Sequence, residues 1–430
     1  MKRSLIAVAV LGAFAGAAHA EDTPAVQVYG VLDAGLVQMT HAGNLSSSFV
    51  TGAVPNGSNS KIGTVRGMMN GGESATRIGF KGSEDLGGGY KAFFQLETGF
   101  SLPNGNASTS GLAGGAGNPN MIADTSINGQ LFNRNAFVGL SSDGMGAFSF
   151  GRQNSLELDM ITAVGGGYDP VNAQMFSPIN FSGSYGGGGA TDDARVDNAI
   201  KYAKKFGNVN VNLLYGMGGV AKYTSARSNT QINVGYEADS FGVQAAMQHA
   251  SDTTSLSPAA APGTVAAQFI NLDSYMLTAR FKLADSFTLK AGYEQMKVSA
   301  PSNYGADALM TTIYGYNIVG NTQFGGTVGS DSKKTNVYWI GANIQASEAA
   351  KVSLGYYAAI TPQFVSNLTA GTTTAAFGDH YISALVDYNL SKKTNFYAGA
   401  MVNTKSGNAV NAPGTIKTFN TYGAGLRVKF

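Results

Sequence analysis

The chain has 430 residues, of which 58 are Gly and none is Cys, with 43% hydrophobic and 13% charged side chains. The lack of Cys excludes a disulfide scaffold and a thiolate metal site. The 28 basic and 26 acidic residues are nearly balanced, so net charge gives no reason to expect nucleic acid or anionic lipid as partners. No Pro/Ser-rich linker or charge block divides the chain, which fits a single large barrel better than several soluble domains.

In chain order, the first feature is a targeting segment. Met1-Lys2-Arg3 is followed by an apolar stretch from Leu5 to Ala18 and a small-x-small site at Ala18-His19-Ala20. This pattern predicts a secretory signal peptide over residues 1–20, leaving 21–430 as the mature domain. Its removal takes away Lys2 and Arg3 and leaves 26 basic against 26 acidic residues. Beyond it, no apolar run approaches the ~20 residues of a membrane helix.

The mature chain alternates with a period of two, the mark of β-strands. VQVYGVLDAG (26–35) opens the series. In 195–202, Val196, Ile200 and Tyr202 oppose Arg195, Asp197 and Lys201. Phe241, Val243, Ala245 and Met247 form another apolar set. In 272–283, Tyr275, Leu277, Ala279, Phe281 and Leu283 oppose Ser274, Thr278, Arg280 and Lys282. In 287–295, Phe287, Leu289, Ala291 and Tyr293 oppose Thr288, Lys290, Gly292 and Glu294. Ile382, Ala384, Val386 and Tyr388 continue the pattern. The chain ends on TYGAGLRVKF (421–430), where Tyr422, Ala424, Leu426, Val428 and Phe430 oppose Thr421, Gly423, Gly425, Arg427 and Lys429.

Sixteen such stretches can be traced. Seven short connections (83–89, 141–146, 204–208, 238–242, 283–286, 345–351, 390–395) alternate strictly with eight long Gly/Ser/Thr/Asn-rich ones (40–68, 101–132, 153–194, 217–228, 252–271, 298–334, 361–379, 405–417). An all-β, transmembrane up-and-down antiparallel β-barrel of 16 strands has this rhythm, with short periplasmic turns and long external loops. In lipid every backbone polar group must be paired, so the sheet has to close and the last strand must pair with the first.

The residues also carry a resemblance. VYGVLDAG (28–35), ATRIGFKGSEDLGGGYKAFFQLE (75–97), LFNRNAFVGLSS (131–142), FGRQ (150–153), RVDNAIKY (195–202) and LRVKF (426–430) run in family order along the mature chain. Together they resemble the Gram-negative general porins, trimeric and sixteen-stranded, of the beta-proteobacterial type. The resemblance implies an outer-membrane channel for passive diffusion of small hydrophilic solutes and ions. It also implies a homotrimer, with the second long loop (101–132) as a latch candidate, and a third loop folded into the lumen. Outer-membrane lipid, lipopolysaccharide and the outer-membrane assembly machinery are the implied partners, and Phe430 would be part of the membrane-insertion signal.

By motif, the resemblance places basic residues on the constriction wall at Arg77, Arg134 and Arg195. It sets them against a loop of about 153–194 carrying Glu157, Asp159 and Asp169 as acidic candidates. Strand parity puts Arg77 and Arg195 inside, whereas Arg134 shares parity with Val138 and Leu140 and rests on the motif alone. Where many relatives carry Pro-Glu-Phe-Gly-Gly, this loop has YDPVNAQMFSP and SYGGGGATDD. Lys201, Arg280, Lys282, Lys290, Arg427 and Lys429 read as inward but merely solvated. Inward cations outnumber Glu97, Asp197, Glu294 and Asp387, which predicts a mild anion preference.

No catalytic residue, cofactor or metal site is expected. HExxH, EF-hand and P-loop patterns are absent from the sequence. His41, His249 and His380 are the histidines left after signal cleavage, and no motif joins one of them to a serine as a nucleophile–base pair needs. Two other readings share the barrel: a solute-selective channel, for which the three arginines could begin a ladder, and an adhesin or receptor with an occluded lumen.

Overall fold

The structure, a computed structural model, describes residues 25–42, 63–103, 105, 121–122, 131–162, 167–179, 194–258, 264–304, 311–313, 316–326, 329–408 and 417–430. The expected signal segment 1–20 lies outside the described residues. Strand β1 is Ala25–Ala42, and β2 comes in two pieces, Gly63–Asn70 and Arg77–Gly87. Next come β3 Tyr90–Gly99, β4 Asn135–Ser142, β5 Gly146–Asn154, β6 Arg195–Phe206, β7 Val209–Gly216 and β8 Asn229–Glu237. The second half comprises β9 Phe241–Pro258, β10 Thr264–Ala284, β11 Phe287–Ser299 and β12 Lys333–Gln345. It finishes with β13 Ala350–Thr361, β14 Phe377–Asn389, β15 Thr394–Gly407 and β16 Thr418–Lys429. Neighbours pair antiparallel, and β16 returns to β1 from Val31↔Lys429 to Met39↔Thr421. The sixteen strands therefore form a closed barrel, which leaves no sheet edge in lipid.

Alternation sorts the side chains as the sequence predicts. On β10, Tyr275, Leu277, Phe281 and Leu283 are exposed on the outer face while Ser274 and Thr278 are buried. On β8, Ile232, Val234 and Tyr236 face out and Gln231 and Asn233 face in. Near the periplasmic turns the outward aromatics pair across strands, Phe148 with Tyr202 at 4.7 Å and Tyr236 with Phe241 at 5.4 Å between ring centres. An aromatic girdle at the interface is what a membrane barrel uses as an anchor.

Val196 departs from the expected outward face. It is 1% exposed and packs with Leu156, Ala199 and Leu214 inside the wall. A bulge explains this: the register between β5 and β6 shifts from Gly151↔Ala199 to Gln153↔Val196, and Asn198 takes φ 49°. One extra residue in a strand reverses the facing of every residue beyond it.

Two long connections are shorter than the sequence suggests. β9 and β10 continue as a hairpin, with Thr253↔Ile270 through Pro258↔Val265 paired, so most of 252–271 is strand. Within 298–334, Tyr316–Gln323 lies parallel against Thr264–Phe269. From the second long loop, Met121–Ile122 pairs with Ser255–Leu256 of the same chain.

β2 is broken at residues 71–76, and Asp33 of β1 holds the break. Its carboxylate accepts the N–H groups of Gly72, Glu73 and Ser74 at 3.1, 3.0 and 2.7 Å, and the Tyr397 hydroxyl at 2.5 Å. The break in turn holds the third loop, since Gln174 N–H donates to Glu73 O at 3.1 Å and Met175 N–H to Gly72 O at 2.9 Å. The main apolar core lies inside the barrel, where Tyr168, Val171, Phe176 and Ile179 of the loop meet Trp339, Tyr357 and Tyr381 of the wall.

Candidate pore constriction

The third loop leaves β5 through Ser155, whose hydroxyl accepts the Leu158 N–H at 3.1 Å. That cap starts a short helix, α1, Leu156–Thr162. From there the described part of the loop runs along the wall. Trp339 Nε1–H donates to Tyr168 O at 3.1 Å, Asn343 Nδ2–H to Pro170 O at 2.6 Å, and the Ser383 hydroxyl to Phe176 O. The described part of the loop thus follows β7 to β16 and touches the break of β2 through Gln174 and Met175.

The opposite arc, β2 to β6, carries the guanidinium groups. Arg77 Nε lies 3.3 Å from Glu97 Oε2 and Arg134 Nε 2.5 Å from Glu97 Oε1. The Tyr29 hydroxyl donates to the same Oε2 at 2.9 Å. Arg134 precedes β4, so strand parity does not govern it. Its place is set by Asn133, which accepts the Gly99 N–H at 2.9 Å and donates to Gly99 O at 3.1 Å. Arg195 is fully buried at the head of β6, within electrostatic reach of Arg134, Arg152, Glu97 and Arg77. The three arginines named from the sequence therefore stand in one cluster.

Two members were not assigned from the sequence. Arg152 donates from Nε and Nη2 to Asn133 O at 3.2 and 2.9 Å, and from Nη1 to Asp197 Oδ1 at 2.6 Å. Its parity with Phe148 and Phe150 points it to lipid, yet its guanidinium reaches Asp197 in the bulged part of β6. Glu97 is the hub that joins Arg77 and Arg134, and its inward parity was the available signal.

Two of the three loop acids, Asp159 and Asp169, are placed elsewhere. Asp159 pairs with Lys201 on β6 and accepts from Asn154 Nδ2–H at 2.9 Å. Asp169 is buried, accepting the Tyr357 hydroxyl at 2.6 Å and the Val171 N–H at 3.1 Å, while Lys290 Nζ donates to its main-chain O at 3.1 Å. Burial pushes the Asp169 carboxyl above its usual range, with Ser177, Tyr357 and Lys290 opposing the rise. Glu157 is buried in the first turn of α1. Neither Asp159 nor Asp169 forms an ion pair with Arg77, Arg134 or Arg195.

Several cations expected to be merely solvated have defined partners. Arg280 binds Glu237 at 2.7 Å, Arg427 binds Glu73 at 2.6 Å, and Lys282 binds the exposed Asp285 at 2.7 Å. Although no sequence motif joins a histidine to a serine, His249 Nε2 lies 3.0 Å from Ser251 Oγ and Nδ1 lies 2.6 Å from Asp273 Oδ1. Lys297 Nζ joins at 3.6 Å from Asp273 Oδ2. His249, Asp273 and Lys297 are cross-strand neighbours on the outer face of β9, β10 and β11 near the loop end. With Ser251 only 9% exposed, this row reads as a hydrogen-bonded ladder at the outer rim.

A closed barrel whose third loop lines the lumen opposite an arginine arc is the architecture of a channel. The family model described as Gram-negative porin matches residues 7–408. The chain belongs to that porin family. It is 28% identical over 427 residues to an outer membrane porin of Bordetella pertussis, covering 93% of each chain. It is 26% identical over 403 residues to outer membrane porin protein 32 of Delftia acidovorans, covering 92% of this chain and 88% of that one. Among solved structures it is similar to an anion-selective porin from Comamonas acidovorans, with TM-score 0.61, 19% identity, and 95% of this chain and 100% of that one covered. It is likewise similar to OmpT of Vibrio cholerae in a trimer form, with TM-score 0.57, 12% identity, and 95% and 100% covered. This porin is thus an outer-membrane channel of a Gram-negative bacterium, and its family is one of channels rather than enzymes.

Proposed function

We propose that this porin passes small hydrophilic solutes and ions by passive diffusion and prefers anions at its constriction. Charge placement carries the reading. Arg77, Arg134, Arg152 and Arg195 share one arc, whereas Asp159 is engaged by Lys201 and Asp169 by Tyr357. Counting Glu97, Asp197 and Glu157 together, four guanidiniums meet three carboxylates. Fixed charge of one sign in a narrow, low-dielectric passage raises the local concentration of the opposite ion. The anion selectivity named for the Comamonas acidovorans porin agrees in direction.

The field here has a different source from the one the resemblance implies. Glu97, on the wall itself, pairs with two of the arginines, while Asp159 pairs with Lys201 and Asp169 is held by Tyr357. The test is the double variant Arg77→Ala/Arg134→Ala in a planar bilayer. It should keep channel steps and lose most of the anion preference; unchanged selectivity would refute the role of this arc.

We further infer a homotrimer, in keeping with the trimer form in which OmpT was solved. An apolar groove on the outer face, lined by Leu36, Tyr388, Phe396, Ala398, Ala424 and Leu426, suits barrel packing. Residues 1–20 would be removed on export, Phe430 would address the chain to the assembly machinery, and lipopolysaccharide would surround the barrel. An unboiled sample should migrate near three chain masses and collapse to one on heating.

A further inference from the structure

A second polar region lies on the periplasmic side of the constriction loop. A cavity of about 410 Å³ sits between α1 and the inner faces of β6 to β10, in the size range of small-molecule sites. Its wall is a connected set of carboxamides. Asn210 and Asn212 donate from Nδ2 to Asn233 Oδ1 at 3.1 and 2.7 Å, and Asn233 Nδ2–H donates to Gln244 Oε1 at 3.1 Å. Gln244 Nε2–H reaches Asn210 Oδ1 at 3.0 Å and Glu237 Oε1 at 2.7 Å. Asn233 and Gln244 are buried, while Asn210 and Asn212 are half-buried.

The charges lining this cavity cancel. Lys201 is paired with Asp159 and Arg280 with Glu237, two cations with two carboxylates. Leu156 and Met160 of α1 back it with apolar surface. An electroneutral wall attracts neither cation nor anion by net charge. A carboxamide both donates and accepts, as a hydroxyl does, so a row of them matches a polyhydroxylated solute.

Resting on the reading of the chain as a diffusion channel, we propose that this cavity is a low-affinity subsite for a neutral, pyranose-sized sugar. A solute that has passed the arginine arc meets it before leaving toward the periplasm. The hydroxyls exchange hydrogen bonds with Asn210, Asn212 and Asn233, and the sugar's C–H surface lies toward Leu156 and Met160. Binding is brief, because each contact replaces one that water also makes.

The experiment is current-noise analysis of the full-length porin in a planar bilayer, with D-glucose as probe and gluconate as its charged comparator. Glucose should add a saturable noise component that gluconate does not. Asn212→Ala, at a half-buried position, should raise the half-saturating concentration about tenfold, the effect of losing one well-placed hydrogen bond. Asn233→Leu should abolish the component while conductance in salt alone stays unchanged. Normal channel steps with no saturable glucose noise, or equal noise from gluconate, would overturn the subsite and leave the channel reading standing. Correctly folded protein that gives no steps at all would remove both.

Discussion

Gly30 and Phe430 close the barrel together. Gly30 N–H donates to Phe430 O at 3.1 Å and Phe430 N–H to Gly30 O at 3.2 Å, so pairing continues to the last residue of the chain. A Cβ on Gly30 would stand 2.3 Å from Phe430 Cζ and 2.8 Å from Arg77 O. Glycine is required there because the terminal ring occupies the side-chain space.

Gly30→Val should therefore impair closure. The ring can swing away but the Arg77 carbonyl cannot, and overpacking of this kind costs about 1–3 kcal/mol. The fraction of heat-modifiable barrel after refolding into detergent should fall, and Gly30→Ala should give a smaller loss. Refolding of Gly30→Val at the wild-type yield would contradict the close approach.

Glu97 bonds to Arg77 and Arg134 at once, so Glu97→Gln removes one negative charge and leaves both cations in the arc. Anion preference should increase severalfold in the reversal potential, opposite in sign to the double arginine variant. A shift toward cations would show that Glu97 does more to position the arginines than to offset them.

Trp339 is the single tryptophan of the chain, and it fits against Gly292, where a Cβ would lie 2.1 Å from its ring. Trp339→Phe keeps an apolar ring and loses the hydrogen bond to Tyr168 O, a cost of about 1 kcal/mol. The third loop should loosen, giving noisier open-channel current with the sign of selectivity unchanged. Current as quiet as wild type would mean that Asn343 and Ser383 hold the loop without it.

Glu73 sits in the break of β2, paired with Arg427 at 2.6 Å and accepting the Asn395 Nδ2–H at 2.8 Å. Glu73→Gln removes one negative charge from the lumen and leaves Arg427 in place, so anion preference in the reversal potential should increase. An unchanged reversal potential in the variant would place this pair outside the ion path.

The wall of this porin was readable where the period of two runs unbroken. Leu277 and Lys290 face as their parity predicts, and the pattern of the last ten residues foretold the pairing of β16 with β1. It failed at the bulge of β6, where one inserted residue turned Val196 inward, and it gave no sign that Arg152 would reach Asp197 there. The acids Asp159 and Asp169 could be named from the sequence, but their partners could not. Trp339 meets the loop 171 residues away and Ser383 207 away, and no local pattern encodes a contact across the lumen. The carboxamide cavity was hidden for the same reason, since Asn210, Asn233 and Gln244 come from three different strands.

The most direct test of the arginine arc is the reversal potential of the wild-type porin in a planar bilayer across a potassium chloride gradient. A potential on the chloride side, with stable channel steps, is the predicted result. A potential on the potassium side would contradict the arc as the seat of selectivity.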